Sequence, residues 1–229
     1  IFTRPWWREI PGISFLMDAL MAKYKDETLK ETLTEIFGGH LRLKDLRKKV
    51  LIVTFLMDNE QKTGFRTWKP KFFHNFPDSK GDIDERLVDV VIRSAAAPVY
   101  FPVYQGYVDG GVAAINPSTC ALAQAYHEGF LDVRLLSMGT GTNPRWLDVQ
   151  DGDWGIAQWG LNLVNMFMDG GGEVADYQCR QILRDQYFRL QPLMRRTIGL
   201  DNWQATDALI EIADEINLEP LLNWIDRTF

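Results

Sequence analysis

The chain has 229 residues, of which 46% are hydrophobic and 24% charged, and its formal net charge is −6. This composition is that of an ordinary globular protein with a sizeable core. Like charges do not run beyond Arg47–Lys49, so the sequence predicts no nucleic-acid partner, which would need a basic surface to neutralise phosphates. It also contains no stretch of about 18 apolar residues that could span a membrane.

In chain order, the sequence first predicts two helices, over Ser14–Tyr24 and from Asp26 to Gly38, and then a strand over Val50–Leu56. A weaker strand over 66–76, interrupted by Pro70, is followed by a helix over Asp84–Ala97 that Pro98 stops. The next predicted elements are a strand over Tyr104–Val108, a helix from Asn116 to Gly129, and a strand over 133–144 that ends in a Gly/Thr loop. From Trp154 onward the pattern is helical throughout, with Gly170–Gly172 predicted as a turn between two helices.

Strands separated by helices predict an α/β fold: a central, mostly parallel sheet with helices on both faces and a helical C-terminal end. The expected organisation is a single domain over residues 1–229. The chain begins at Ile1 rather than Met and has no signal-peptide pattern, which is typical of a sequence entered partway through, so this domain is expected to be incomplete at its N-terminus.

Cysteines and histidines are scarce in this sequence. Cys120 and Cys179 lie far apart and each falls in a helical pattern, which favours buried free thiols. The three histidines, His40, His74 and His127, form no cluster with cysteines. The sequence therefore predicts no metal site and no cofactor.

The segment YQGYVDGGVAAINP (104–117) places one carboxylate, Asp109, at a strand end, directly before Gly110 and Gly111. Asp is depleted in strands and paired glycines weaken them, so a strand that ends in these three residues requires a structural or functional explanation. One interpretation is a tight turn, because Asp bonds nearby backbone groups and glycine takes positive φ. The other is a functional acid, which the position beyond a strand end and before a capped helix favours.

Other candidate motifs are weaker. The loop SMGTGTNP lacks the Walker lysine and the full GxGxxG spacing, so it is predicted to pack between elements rather than to hold phosphate. No serine fits a Gly-x-Ser-x-Gly elbow, which needs small residues on both sides. Ser14 has Leu16 at the second glycine position, while Ser94, Ser118 and Ser137 fall late in a helix, after a helix-starting proline and inside a strand.

An ordered series of motifs resembles the patatin-like phospholipase (lipid acyl hydrolase) domain over nearly the whole chain. The motifs are FTRPWW, KYKDETLKETLTEIFG, LKDLRKKVLIVTFLMD, VVIRSAAAPVYFPVY, YVDGGVAAINP, LLSMGTGTNP and DYQCRQILRDQYFRLQP. The family's first strand, its oxyanion loop and its Gly-x-Ser-x-Gly elbow have no counterpart, so the match is to the C-terminal portion of the domain. Ile115 departs from the family, which usually has a polar residue there.

The resemblance implies an activity and a site. Patatin-like enzymes cleave acyl esters with a Ser–Asp dyad, and the acid of their Asp-Gly-Gly motif corresponds to Asp109, with Gly110 and Gly111 leaving room for the elbow and the substrate. A phospholipid or related acyl lipid is the expected substrate. The serine is expected outside this chain, so the chain alone should be inactive and prone to aggregate. The alternative is a non-catalytic lipid-binding or protein-interaction module.

The expected location is cytoplasmic or peripheral at a membrane. The best candidate for contact with lipid is Ile1–Trp7 (IFTRPWW), because tryptophan favours the headgroup region. The alternative, that Trp6 and Trp7 pack in the core, is the favoured expectation. The negative net charge argues against a purely electrostatic attraction to anionic lipid.

Overall fold

The computed structural model describes residue 2 and residues 21–79, 81–148 and 152–229. Trp6, Trp7, Ser14 and most of the predicted helix Ser14–Tyr24 lie outside the described residues. The chain forms two compact units, residues 1–115 and 116–229, which are taken in turn. That residues 1–229 make a single domain stays a prediction.

In the first unit the elements are helix α1 (Glu27–Phe37), strand β1 (Leu51–Leu56), strand β2 (Lys69–His74), helix α2 (Leu87–Ala95), strand β3 (Tyr107–Asp109) and the short helix α3 (Gly111–Ala114). The prediction of α1 is confirmed, and Gly38 ends it with a φ of 77°. The prediction of β1 is confirmed as well. Pro70 lies within β2, beside Phe55 of β1, which suits the outer position of β2 among the described strands.

The strand directions differ from the predicted mostly parallel sheet. Strand β1 lies between β2 and β3 and pairs antiparallel with both. The loop of residues 57–68 joins β1 directly to β2, so the chain simply folds back. Beyond α2 a second reversal occurs at the tight turn of Gln105 and Gly106, both at positive φ, which pairs Tyr104 with Tyr107.

Helix α2 supplies side chains to two apolar clusters of this unit. Val88 and Ile92 belong to a cluster with Tyr24, Phe101 and Tyr104, whereas Leu87 and Val90 belong to one with Leu43 and Phe73. The helix also buries a charged residue, Asp89, whose carboxylate accepts hydrogen bonds from the Tyr104 hydroxyl and from Arg86 Nε, both at 2.7 Å. These partners offset the cost of burying the charge.

In the second unit the elements are helix α4 (Ser118–His127), strand β4 (Leu135–Met138), helix α5 (Ile156–Leu183), strand β5 (Tyr187–Leu190), helix α6 (Thr206–Asp214) and helix α7 (Glu219–Thr228). Strands β4 and β5 pair in parallel and α5 connects them, so parallel pairing is found here as predicted. Strand β5 corrects the expectation that only helices follow Trp154. The α/β fold class is confirmed across both units.

Helix α5 corrects a second expectation, because Gly170–Gly172 lie inside it rather than in a turn. Glycine costs about 1 kcal/mol relative to alanine in a helix, so this continuation depends on packing. Cys179 and Leu183, in the C-terminal half, are buried against Leu122 and Tyr187. Cys179 and the half-buried Cys120 are free thiols, as predicted. The 28 residues of α5 are interrupted at Gly160, whose φ of 11° and ψ of −113° are not helical. No described helix combines the length and apolar character needed to cross a membrane.

A buried polar network ties the start of α4 to strands β4 and β5. Ser118 Oγ donates to Asn116 Oδ1 at 2.6 Å and lies 2.8 Å from Ser137 Oγ. Arg189 Nη1 donates to Ser137 Oγ at 2.6 Å. Ser137 is thus the shared partner of a neighbouring hydroxyl and a guanidinium, which holds the two strands in one register.

We expect Ser137→Ala to lower the free energy of unfolding by about 1–3 kcal/mol, because it leaves a partly buried donor of Arg189 without its acceptor. Urea unfolding followed by circular dichroism measures the change. The exposed Thr197→Ala is the control and should stay within about 0.5 kcal/mol of wild type. Equal stability of Ser137→Ala and Thr197→Ala would show that the network contributes nothing.

Candidate functional site

Asp109 is the last residue of β3, and backbone hydrogen bonds to the end of α2 fix its position. Its N–H donates to Ala96 O at 3.0 Å, and the N–H of Gly110 donates to Ser94 O at 3.2 Å. Ser94 Oγ in turn donates to Val53 O at 2.7 Å, which attaches the same helix end to β1. The predicted acid therefore stands at the junction of two strands and a helix.

The Asp109 carboxylate is half-buried and has a single hydrogen bond to the residues that the structure describes. Oδ1 accepts from the N–H of Gly111 at 2.6 Å, and within the described ranges Oδ2 has no hydrogen-bonding or ionic partner. Burial raises the pKa of this carboxyl above its ordinary value, and the bond from Gly111 opposes part of that rise. One oxygen of a basic carboxylate thus stays free to accept a proton.

The glycines beside Asp109 serve close packing and not positive φ, which corrects one basis of the tight-turn interpretation. Gly110 has a φ of −63° and a ψ of −21°, values that any residue adopts. A Cβ at Gly110 would lie 2.0 Å from Val53 O, so only glycine lets β1 approach this closely. A Cβ at Gly111 would lie 3.0 Å from Asp109 Oδ1, so this position also stays small to leave the carboxylate in place.

An apolar groove of about 600 Å³ lies in the same unit. Two of its residues, Val108 and Val112, flank the Asp109–Gly111 segment along the chain. Side chains alternate along a strand, so Val108 faces the groove from the side of β3 opposite to Asp109. The remaining lining residues are Met21, Ala22, Phe55, Met57, Trp68, Pro98, Val99, Phe101, Pro102 and Val103.

The sequence predicted no substrate-binding residue, and it gave no prediction of this groove. The available signal was the segment from Pro98 to Pro102, where two prolines bracket three apolar residues. Val99 within it has a φ of 74°, which is strained for a β-branched residue. The N–H of Lys23 donates to Val99 O at 2.8 Å and helps to hold this conformation at the rim of the groove.

The described serines have places of their own within each unit. In the first unit neither Ser79 nor Ser94 makes a hydrogen bond to the Asp109 carboxylate. In the second unit the Ser118 and Ser137 hydroxyls contact each other. The Gly/Thr loop after β4 is packed as predicted: its residue Gly139 donates its N–H to a carbonyl of β5 at 2.9 Å. A Cβ at Gly139 would lie 1.5 Å from a side-chain oxygen of β5's neighbour Gln191, which leaves no room for a phosphate there.

Comparison with known proteins agrees with the order of motifs along the chain. The sequence model of the family described as "Patatin-like phospholipase" matches residues 4–121, a range that includes Asp109 and every described groove residue. CotR of Bacillus subtilis is 31% identical over 227 residues, which cover 84% of this chain and 68% of that protein. The chain therefore belongs to the patatin-like phospholipase family.

Two further relatives show the breadth of the match. A cGAMP-activated phospholipase of Pseudomonas aeruginosa is 30% identical over 186 residues, which cover 75% of this chain and 52% of that protein. Patatin-like protein 4 of Arabidopsis thaliana is 23% identical over 257 residues, which cover 95% of this chain and 59% of that protein. These two relatives extend well beyond the region that they share with this chain.

Proposed function

We propose that the protein is a lipid acyl hydrolase that cleaves phospholipids or related acyl esters, with Asp109 as the general base of a Ser–Asp dyad. The observation that carries the proposal is the Asp109 carboxylate itself: it is half-buried at a strand end, its Oδ2 is without a partner among the described residues, and Val108 and Val112, on either side of its segment in the chain, line an apolar groove. Membership of the family and the phospholipase relative support the substrate class.

In the proposed reaction Asp109 accepts and returns a proton twice, first the proton of the serine and then a proton of water. Asp109 takes the proton of a serine hydroxyl while the serine oxygen bonds to the ester carbonyl carbon. The bond to the alcohol then breaks, and the departing oxygen takes the proton from Asp109. Water attacks the resulting acyl-serine and gives a proton to Asp109, the fatty acid leaves, and the proton returns to the serine. We assign the serine to a segment beyond the described residues, in the whole protein.

The groove would hold the acyl chain during this reaction. Its described lining is almost entirely apolar, with Phe101 and Val108 buried at its base. Burying each methylene of a fatty acyl chain contributes about 0.8 kcal/mol, so a chain of several carbons gains enough to position the ester.

Release of fatty acid from phosphatidylcholine vesicles, followed by mass spectrometry, tests the proposal. We expect release by the whole protein well above the rate in buffer, together with covalent labelling of one serine by an organophosphonate ester. The second candidate function, a non-catalytic lipid-binding or protein-interaction module, is favoured by the groove, which needs no dyad to bind an acyl chain. Binding of fatty acid without hydrolysis or labelling would support that function and end the enzymatic proposal.

The raised pKa of Asp109 gives the activity a defined pH dependence. The base must be ionised, so kcat/KM on a soluble p-nitrophenyl ester should fall as pH drops through this pKa, with the midpoint above the ordinary 3.8. The contribution of Asp109 to the stability of the fold changes with pH in the opposite direction. Because the folded-state pKa is raised, the stabilising contribution of protonated Asp109 is fully present below the unfolded value of about 3.9 and is lost as pH rises through the folded value.

Rate profiles and thermal melts across this pH range measure both trends. Asp109→Asn should remove the pH dependence of stability in this window, so that the variant gains on wild type as pH rises. A midpoint for kcat/KM at or below 3.8 would show that burial does not tune this acid.

A further inference from the structure

The loop between β1 and β2, residues 57–68, is held in one shape by Asn59. The N–H of Asn59 donates to Thr67 O at 3.1 Å, and its Nδ2 donates to Phe65 O at 2.9 Å. Its Oδ1 accepts from the N–H groups of Gln61, at 3.3 Å, and Thr67, at 3.1 Å. One side chain thus binds the backbone on both sides of the loop, which fixes the loop without a core of its own.

An ion pair closes the same loop. Arg66 Nε donates to both oxygens of Asp58, at 3.0 and 2.9 Å, and the guanidinium also bonds this carboxylate through Nη2. The hydrogen bonds from Arg66 hold the pKa of Asp58 below its ordinary value. The loop holds two acidic and two basic residues, Asp58, Glu60, Lys62 and Arg66, so it carries no net charge within an acidic protein, and Lys69 follows it at the start of β2.

This ordered loop keeps aromatic side chains in solvent. All residues from 61 to 70 are exposed, and Phe65 is 89% and Trp68 67% exposed. Fully burying a side chain such as Phe stabilises a protein by about 1.5–3 kcal/mol. In the isolated molecule the aromatic side chains of this loop do not contribute that free energy. Single exposed apolar side chains are ordinary, so what distinguishes these two aromatics is their place on a loop beside an apolar groove.

The base of the loop is continuous with the groove proposed for the acyl chain, because Met57 and Trp68 line it. Resting on the proposed function, we propose that residues 57–68 dock on the surface of a phospholipid bilayer, with Phe65 inserted among the headgroups. The acyl chain of a lipid then enters the groove directly from the membrane. Trp68 suits the headgroup region, and a loop without net charge, followed by Lys69, does not repel the lipid phosphates.

A lipid surface fits this loop better than a second copy of the chain. A stable protein interface buries about 800 Å² per partner and involves roughly 20–30 residues a side, more than one loop of this length offers. Insertion into a bilayer needs only a few apolar side chains and a polar surround that tolerates phosphate.

The test is flotation of the whole protein with vesicles of phosphatidylcholine containing a minor fraction of phosphatidylglycerol. We expect Phe65→Ala to lower the vesicle partition coefficient on the order of tenfold, since insertion of Phe65 is lost. The matched control is Phe167→Ala, at a residue of α5 that is 71% exposed and does not line the groove. It should partition as wild type does, and both variants should melt as wild type does.

Activity separates this inference from the proposed function. If both hold, Phe65→Ala loses hydrolysis of vesicle lipid but keeps hydrolysis of a soluble p-nitrophenyl ester. If wild type hydrolyses neither substrate yet floats in a Phe65-dependent manner, docking stands and the enzymatic proposal fails. Equal partition of Phe65→Ala and wild type would overturn docking. A wild type that does not float, and that changes from dimer to monomer with Phe65→Ala in light scattering, would overturn it in favour of a second copy.

Discussion

Asp109→Asn should lower kcat/KM on a soluble p-nitrophenyl ester by roughly 10²–10⁴-fold, because an amide cannot take the serine proton. The fold should survive the change. Asn Oδ1 can accept the hydrogen bond from the Gly111 N–H that Asp109 Oδ1 accepts at 2.6 Å, and the half-buried charge is removed. Initial rates and a thermal melt of each protein, measured in the same buffer, give the two quantities.

Asp89→Asn is the matched control, since Asp89 is a buried acid of the same unit with a structural environment. Its carboxylate accepts from Tyr104 and Arg86, so the amide should cost about 1–3 kcal/mol of stability. The folded fraction of this control should keep its activity. Asp109→Asn should thus lose activity and keep its stability, whereas Asp89→Asn should lose stability and keep its activity. The same loss of activity in both variants would mean that Asp109 acts only through the fold.

Gly110→Ala should destabilise the protein by about 3 kcal/mol or more, because the new Cβ would lie 2.0 Å from the backbone oxygen of Val53. Side-chain motion cannot relieve this clash, so β1 and β3 must move apart. A loss of that size lowers the melting temperature by roughly 6–12 °C in a chain of this length. Differential scanning calorimetry measures the shift.

Gly170→Ala makes the same substitution where there is room for it. Gly170 lies within α5, is exposed, and a Cβ there would meet no atom within 4 Å. Alanine is the better helix former, so this variant should gain about 0.5–1 kcal/mol. Opposite signs for the two variants are the expected result. Equal melting temperatures for Gly110→Ala and wild type would show that the approach of β1 to Gly110 is not as close as described.

Local patterns predicted the elements whose formation depends on local sequence. The apolar face that ends at Gly38 predicted α1, and the apolar run from Val50 predicted β1. Strand directions were not predictable in the same way, because they depend on how the loop of residues 57–68 and the turn at Gln105 and Gly106 reverse the chain. Strand β5 has only four residues and follows α5 after a single helical turn, so its pattern merges with that of the helix.

The same distinction between local sequence and contacts distant in the chain applies to the candidate site. The position of Asp109 at a strand end was predictable from its motif, and the structure places it there. The reason for Gly110 was not, because it depends on Val53, which is distant in the chain and close in space. The groove gathers residues from Met21 to Val112 that share no motif, so only its segment from Pro98 to Pro102 left a signal in the sequence.

We propose that Asp109 deprotonates the serine that carries the acyl group. Intact-mass spectrometry of the whole protein, quenched at short times after mixing with a p-nitrophenyl ester, observes this step directly. Wild type should gain the mass of one acyl group together with a burst of p-nitrophenol, whereas Asp109→Asn should gain none on the same timescale. An acyl adduct that forms in Asp109→Asn as fast as in wild type would show that Asp109 is not the base, because the serine would then be activated without this acid.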